Sequence, residues 1–272
     1  MSLLERVTIG PFEVEILRRR SRRPDAPTLL LLHGINNISP DAPFLDRLAE
    51  HGAIWAPSAP GFGTTLRPAD FDTIYDLVHF YRAVLDALPA PSVTMIGFSF
   101  GGWIAAEVAA GGHPKLRRLV LVDPVGIKLG GYLERDIAHL FNTAPAELDR
   151  RAWHDPASCP RGCYGVGWHT RISEAMSDDD MVRLARNWDS LCLYAWRPHM
   201  YNPQLKHWLH RIAVPSLVLW GASDRIVTPE YGRGYAGLIP AAEFDIIEAA
   251  GHHPELEQPC AFVDRVARSL AT

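Results

Sequence analysis

The chain has 272 residues, is 47% hydrophobic, and carries a formal net charge of −4. These values are typical of one large globular domain, with or without an inserted lobe, and argue against a nucleic-acid partner. No apolar run near the N-terminus resembles a signal peptide, and no window approaches the roughly 18 apolar residues of a membrane span. We therefore expect a cytoplasmic protein with no nucleic-acid and no membrane partner.

Six short apolar runs predict the strands of one sheet. They are continuous rather than alternating, which is typical of strands covered on both faces, and they cover residues 28–34, 53–57, 92–97, 116–123, 215–221 and 243–248. Helical patterns fall between them, at residues 73–88, 100–110, 229–237 and 259–270. This alternation predicts an α/β fold with a doubly wound, mostly parallel sheet. A basic run from Arg18 to Arg23 is interpreted as an exposed turn between two early strands.

The alternation stops after Asp123. Ser177 precedes three aspartates and a helical pattern that runs to about Tyr194, as expected of an N-cap with an acidic first turn. The stretch also contains five tryptophans: Trp153, Trp168, Trp188, Trp196 and Trp208. We predict a helical cap over residues 125–210, inserted into a core of residues 1–124 and 211–272.

Two cysteines of the predicted cap are close in sequence. The spacing of Cys159 and Cys163 is not that of a zinc-ligand pair, and no second Cys or His pair completes a site. We predict free thiols there, with a disulfide as the alternative, and no metal site.

Residues 97–101 read Gly-Phe-Ser-Phe-Gly and place Ser99 in a G-x-S-x-G pattern. This pattern has meaning only at a sharp turn from a strand into a helix. A predicted strand precedes it, a helical pattern follows it, and Gly97, Gly101 and Gly102 leave room for the two backbones to approach closely. Ser99 would then project from the carboxyl end of a parallel strand, where open α/β sheets place their sites. We predict that Ser99 is a nucleophile.

A serine hydroxyl needs a base, and the base needs an acid that orients it. Asp224 follows the fifth of the six predicted strands, and His252 follows the sixth. Because parallel strands end at one edge of a sheet, both side chains can converge on Ser99. We predict a catalytic set of Ser99, Asp224 and His252.

Two neighbours are alternatives to these partners. Asp123 also ends a predicted strand and is the alternative acid. His253 is the alternative base, and it is disfavoured because Pro254 follows it directly.

Acyl transfer also needs hydrogen-bond donors where negative charge develops. The backbone N–H of Phe100 lies at the predicted start of a helix, where amides have no partner inside the helix. A second donor is expected from the loop after the first predicted strand, where Ile35 is preferred and Asn36 is the next candidate. His33 is interpreted as a structural residue that braces this loop.

Several segments together resemble the α/β-hydrolase family with a helical cap. The segments that carry the resemblance are LLHGIN, APSAPGFG, IGFSFGGWIAAEVA, LVLWGASDRIVTP and AGHHPELEQP, in that order from about residue 28 to the end. The resemblance implies the α/β-hydrolase fold, with a mostly parallel eight-stranded sheet, helices on both faces and an inserted cap between the sixth and seventh strands. It also implies a Ser-His-Asp triad and no cofactor.

The sequence departs from many members of this family at two positions. Many carry Asp where Ser58 stands, and this position is interpreted as structural. Members that cleave carbon–carbon bonds of ring-fission products often have a polar residue before the nucleophile, whereas Phe98 stands here. Members that open epoxides or remove halide use an aspartate nucleophile, which Ser99 argues against.

We predict a serine hydrolase that cleaves a carboxylic ester or lactone of a small apolar or aromatic acyl compound. The predicted substrate-binding residues are Asn36, Phe98, Trp188 and Trp196. The partner is a small-molecule substrate, no metal is expected, and a homodimer is left open. The alternatives are a carbon–carbon bond hydrolase acting on a vinylogous 1,5-diketone and a ligand-binding receptor with a vestigial triad.

Overall fold

The computed structural model describes residues 3–23, 25–131, 133–158 and 177–271. Within these ranges the chain forms one eight-stranded sheet. The strands are β1 (Leu3–Ile9), β2 (Phe12–Arg19), β3 (Thr28–Leu32), β4 (Ala53–Pro57), β5 (Val93–Phe98), β6 (Leu116–Val122), β7 (Ser216–Gly221) and β8 (Ala242–Ile247). The six strands predicted from apolar runs are therefore confirmed as β3 to β8.

The order of strands across the sheet is β1-β2-β4-β3-β5-β6-β7-β8. β2 runs antiparallel to both β1 and β4, and every pairing among β3 to β8 is parallel. The chain starts the parallel part in the middle, at β3, and then extends it to either side. This is the doubly wound, mostly parallel sheet that the sequence predicts, and its parallel strands all end at one edge.

Helices cover the sheet. In the described ranges they are α1 (Leu45–Leu48), α2 (Ile74–Ala87), α3 (Phe100–Gly111), α4 (Pro145–Ala152), α5 (Asp178–Ala195), α6 (Pro229–Ala236), α7 (Pro254–Glu257) and α8 (Pro259–Ala271). α3 packs on β5 and β6, and every residue of β5 and β7 is buried, so both faces are covered at the centre of the sheet. None of the described helices combines the length and the hydropathy that crossing a membrane requires.

The basic run near the N-terminus is only partly a turn. Arg18 and Arg19 belong to β2, where the Arg18 guanidinium lies 3.8 Å from the centre of the Trp55 ring and pairs with Glu5 at 2.6 Å. Arg19 pairs with Asp46. The prediction of an exposed turn is therefore wrong for these two residues, because aromatic stacking and ion pairing extend the strand.

The segment between β6 and β7, called the inserted segment below, contributes α4 and α5 in its described part. α5 begins after Ser177, whose hydroxyl accepts the N–H of Asp180 at 3.2 Å, so the predicted N-cap is confirmed. Trp168, Cys159 and Cys163 lie outside the described residues, and the predictions for them stay open. The boundaries of a cap at residues 125–210 remain a prediction.

α5 is fixed to the loop after β4 by hydrogen bonds to backbone atoms. Ser190 Oγ donates to the carbonyl of Gly61 at 2.6 Å, and Tyr194 Oη donates to that of Pro60 at 3.1 Å. Asn187 Oδ1 accepts the N–H of Gly63 at 3.0 Å. These bonds hold the inserted segment over the edge where the parallel strands end.

His33 joins the loop after β3 to the loop after β4. Its Nε2 accepts the N–H of Ala59 at 3.0 Å, so its Nδ1 carries the hydrogen that is donated to the carbonyl of Gly34 at 2.7 Å. Burial lowers the pKa of His33 to about 4, because a charged imidazole would lose its hydration. The neutral ring therefore acts as a brace between the two loops.

This brace makes stability depend on pH. The pKa of His33 is lower in the folded chain than in the unfolded chain, so the unfolded state binds the extra proton between pH 6.5 and 4. By linkage, the contribution of His33 lowers the free energy of unfolding by about 3 kcal/mol as the pH falls through this interval. We expect His33→Gln to be less stable than the wild type at pH 7 and to lose less stability on acidification. Urea unfolding at pH 7 and pH 4 measures both free energies, and parallel pH dependences would contradict the expectation.

Candidate active site

Ser99 occupies a strained turn between β5 and α3. Its backbone has φ +48° and ψ −111°, a region that non-glycine residues rarely adopt. The turn is possible because α3 approaches β3 very closely: a Cβ on Gly101 would lie 2.2 Å from the carbonyl oxygen of Leu32. The strand, the sharp turn and the helix that the sequence predicts around Ser99 are therefore all present.

His252 lies between the other two predicted side chains. The Oγ of Ser99 and the Nε2 of His252 are 2.7 Å apart, and the Nδ1 of His252 is 2.7 Å from Oδ2 of Asp224. In the arrangement that satisfies both contacts, Ser99 donates to Nε2, and Nδ1–H donates to the carboxylate. The structure thus brings together all three residues predicted as the catalytic set.

The loop that carries His252 is fixed by the end of α4. The N–H of His252 donates to the carbonyl of Ala152 at the end of α4, at 2.6 Å. A Cβ on Gly251 would lie 2.2 Å from that same carbonyl oxygen, so only glycine allows this approach. The inserted segment therefore helps to position the imidazole from behind.

Asp224 is oriented by backbone amides. Its Oδ1 accepts the N–H groups of Ile226 at 2.8 Å and Val227 at 3.2 Å, and only 2% of the residue is exposed. Its Oδ2 is left for the imidazole of His252. Two amides and one imidazole N–H are thus directed at this carboxylate, which suits a negatively charged group.

Asp123, the alternative acid, lies at the same sheet edge but does not bond His252. Its Oδ1 accepts the N–H of Gly221 at 2.9 Å. Burial and the neighbouring Asp224 carboxylate both raise the pKa of Asp123 well above its ordinary value. His253, the alternative base, does not bond Ser99 either; its Nδ1 lies 3.5 Å from Oε1 of Glu255.

The two predicted oxyanion donors flank Ser99. Ile35 and Phe100 line the pocket around the serine, and neither backbone N–H donates to another described residue. A Cβ on Gly34 would lie 3.6 Å from Cβ of Ser99, which shows how close this loop comes to the hydroxyl. Both amides are therefore available beside the serine, as an oxyanion hole requires.

The pocket beside Ser99 is small and largely apolar. Its volume is about 20 Å³, which is room for about one water molecule. Its walls are formed by Gly34, Ile35, Asn36, Phe98, Ser99, Phe100, Val122, Leu140, Leu191, Met200, His252, His253 and Glu255. Leu140, Leu191 and Met200 come from the inserted segment and close the pocket from above.

Asn36 connects this pocket to a larger cleft. It is 6% exposed, and its Nδ2 has no hydrogen-bond partner among the described residues. It also lines a cleft of about 330 Å³ that extends towards Arg183 and Asn187 on α5. A buried amide without a partner is costly unless a ligand pairs with it, so Asn36 is placed as a substrate-binding residue would be.

The three predicted aromatic contacts differ in position. Phe98 lines the pocket and packs on Phe44 and Phe262, with ring centres 5.8 and 5.9 Å away. Trp188 and Trp196 pack around Phe141, and neither belongs to the walls of the Ser99 pocket. The structure does not bring these two tryptophans to the serine, because they form an aromatic cluster within the inserted segment.

Sequence reasoning missed Glu255 as a pocket residue. It is 2% exposed and lies on α7, the short helix that begins at Pro254 directly after the two histidines. The available signal was Pro254, because a proline at this position predicts that a helical turn begins directly after the two histidines.

One group in the described ranges has the ligand spacing of a metal site. Atoms of Asp123, Asp224 and His252 lie within 4.8 Å of one another. Asp224 and His252 already form a hydrogen bond to each other through Oδ2 and Nδ1. This group is therefore accounted for by the serine-centred arrangement.

Comparisons with known proteins agree with this fold. A 2-hydroxymuconate semialdehyde hydrolase of Pseudomonas sp. (strain CF600) is 26% identical over 239 residues, covering 84% of this chain and 79% of that protein. The structure of 2-hydroxy-6-oxo-6-phenylhexa-2,4-dienoate hydrolase from Rhodococcus sp. strain RHA1 has a TM-score of 0.77 at 19% identity, covering 100% of this chain and 99% of that one. The structure of carboxylesterase CesB from Bacillus subtilis has a TM-score of 0.73 at 19% identity, covering 99% of this chain and 92% of that one.

At these identities the solved structures show a common fold. The family assignment comes from the match of residues 29–265 to the alpha/beta hydrolase family. That match spans the turn at Ser99 and the loops of Asp224 and His252, and it confirms the resemblance noted in the sequence. This chain belongs to the alpha/beta hydrolase family.

Proposed function

We propose that the protein is a serine hydrolase that cleaves a carboxylic ester or lactone of a small apolar or aromatic acyl compound. The observation that carries the proposal is the row of two 2.7 Å contacts from Ser99 through His252 to Asp224. All three residues lie where parallel strands end, and free backbone amides stand next to the hydroxyl. Few reactions other than nucleophilic acyl transfer use a serine, an imidazole and a carboxylate in this order.

In the first step Ser99 Oγ attacks the acyl carbon while His252 Nε2 takes its proton. The carbonyl oxygen becomes negative and is stabilised by the amides of Ile35 and Phe100. Asp224 holds the Nδ1–H tautomer and stabilises the imidazolium that forms. The imidazolium then returns the proton to the leaving alkoxide, and the acyl group remains on Ser99.

In the second step a water molecule replaces the alcohol. His252 takes a proton from this water as its oxygen attacks the acyl-serine. The same amides stabilise the second tetrahedral intermediate, and the proton returns to Ser99 Oγ as the carboxylic acid leaves. No cofactor is needed, because proton transfer and hydrogen bonding supply the catalysis.

The pocket walls support an apolar acyl group. Phe98, Val122 and Leu191 contribute hydrocarbon surface, while the Nδ2 of Asn36 offers one donor to an oxygen of the substrate. Because the enclosed space holds about one water molecule, Leu140 and Met200 of the inserted segment must move when a substrate enters. The cap proposed over residues 125–210 thus acts as a movable wall.

A carbon–carbon bond hydrolase is the second candidate. It is favoured by the relative named 2-hydroxymuconate semialdehyde hydrolase, at 26% identity, and by the unpaired amide of Asn36. It is disfavoured by Phe98, whose ring packs into the core and puts no polar group before the serine.

A fluorophosphonate probe tests the nucleophile. We expect one probe per chain, attached at Ser99, because this hydroxyl has both an imidazole base and unpaired backbone amides beside it. Intact-mass spectrometry and peptide mapping identify the site. Ser99→Ala should not react, whereas Ser39→Ala, in the nearby loop, should react like the wild type. An unlabelled wild-type protein would favour the receptor alternative.

Asp224→Asn tests the acid. The amide cannot stabilise the imidazolium and favours the wrong tautomer, so we expect kcat to fall by about three to four orders of magnitude. The measurement is steady-state hydrolysis of a p-nitrophenyl ester, with circular dichroism to establish that the variant is folded. Near-normal kcat would transfer the acid role to Asp123.

A substrate screen separates the two candidate reactions. The panel contains p-nitrophenyl esters of graded acyl length and aromatic character, together with a vinylogous 1,5-diketone. We expect kcat/KM to be higher for the esters, because Phe98 leaves no polar group before Ser99. Both activities should disappear in Ser99→Ala, and a preference for the diketone would select the carbon–carbon hydrolase.

A further inference from the structure

Asp123 is a buried carboxyl group that the proposed mechanism does not use. It follows β6, adopts φ +43°, and has no exposed surface. Its Oδ1 accepts the N–H of Gly221, but no described N–H or O–H group donates to its Oδ2. The positive φ of Asp123 and its buried, unpaired Oδ2 both cost folding free energy, and a cost of this kind next to a reactive site indicates a role for the side chain.

The groups that face Asp123 come from three neighbouring elements. Asp224 follows β7, His252 follows β8, and Glu255 lies on α7. An atom of Asp224 and an atom of His252 each lie within 4.8 Å of an oxygen of Asp123. Two carboxylates at this distance in a site without solvent repel strongly, so one of them keeps a proton.

The hydrogen bonds decide which carboxyl is charged. Asp224 receives two backbone N–H groups and the imidazole N–H of His252, whereas Asp123 receives one backbone N–H. Three donors stabilise a negative charge better than one. Burial and the repulsion from Asp224 raise the pKa of Asp123 well above its ordinary value, which agrees with this assignment.

We propose that Asp123 is held as a neutral carboxylic acid that donates its Oδ2–H to the carboxylate of Asp224. It is thus a positioning residue, and its role rests on the proposed function of the Ser99–His252–Asp224 set. The donated hydrogen bond fixes the carboxylate plane of Asp224, and the Asp123–Asp224 pair carries one negative charge instead of two. A second charge there would make the imidazolium too weak an acid to return its proton to the leaving group.

Two substitutions distinguish a protonated, hydrogen-bond-donating Asp123 from a negatively charged one. Asp123→Asn keeps an N–H donor of the same shape, so we expect kcat within about threefold of the wild type and an unchanged acid limb of the kcat/KM pH profile. Asp123→Ala removes the donor, so we expect kcat to fall roughly tenfold with little change in KM.

The opposite pattern would overturn the proposal. If Asp123 is charged, Asp123→Asn removes a negative charge near His252. The acid limb would then move to lower pH by about one unit, and kcat would fall as far as in Asp123→Ala. Fluorophosphonate labelling of Ser99 in the same samples reports separately on the proposed function.

The protonation state can also be measured without turnover. In protein labelled with ¹³Cγ-aspartate, the resonance lost in Asp123→Asn or Asp123→Ala belongs to Asp123. We expect its chemical shift to be that of a protonated acid from pH 5 to pH 8. Asp149, on α4, is the matched reference, because burial raises its pKa to about 6 and its resonance should titrate in this range. A carboxylate shift for Asp123 at pH 7 would refute the assignment, whether or not Ser99 is labelled.

Discussion

The arrangement of the site depends on the contact between the start of α3 and the end of β3. A Cβ on Gly101 would lie 2.2 Å from the carbonyl oxygen of Leu32, so the two backbones touch without an intervening side chain. This contact forces Ser99 into its φ +48° turn and places the first amide of α3, on Phe100, beside the serine hydroxyl. The proposed nucleophile and one proposed oxyanion donor are therefore positioned by a single close approach of two backbones.

Much of this geometry could be predicted from the sequence, because it follows from the chain direction in a parallel sheet. Continuous apolar runs identify β3 to β8, and parallel strands end at one edge. The residues after β5, β7 and β8 must then lie at the same edge of the sheet, although more than a hundred positions separate Ser99 from Asp224. The glycines around Ser99 could also be interpreted from the sequence, since only glycine permits two backbones to come into contact.

The inserted segment could not be predicted in the same detail. Aromatic content suggested Trp188 and Trp196 as pocket residues, but Leu140, Leu191 and Met200 form the wall. An amphipathic pattern tells which face of a helix is apolar, not whether that face meets a pocket or a neighbouring helix. The position of Asp123 was predicted, yet its relation to Asp224 was not, because a shared proton depends on distances of a few ångströms that only folding fixes.

The attachment of α5 to the loop after β4 is one-sided in its chemistry. The helix supplies the side chains of Arg186, Asn187, Ser190 and Tyr194, whereas the loop supplies only main-chain atoms of Pro60, Gly61 and Gly63. The bonds between α5 and this loop are thus encoded in the side chains of one helix, in a stretch of sequence separate from Ser99, Asp224 and His252. Substitutions at these positions would loosen α5 over the edge of the sheet without changing any of those three residues.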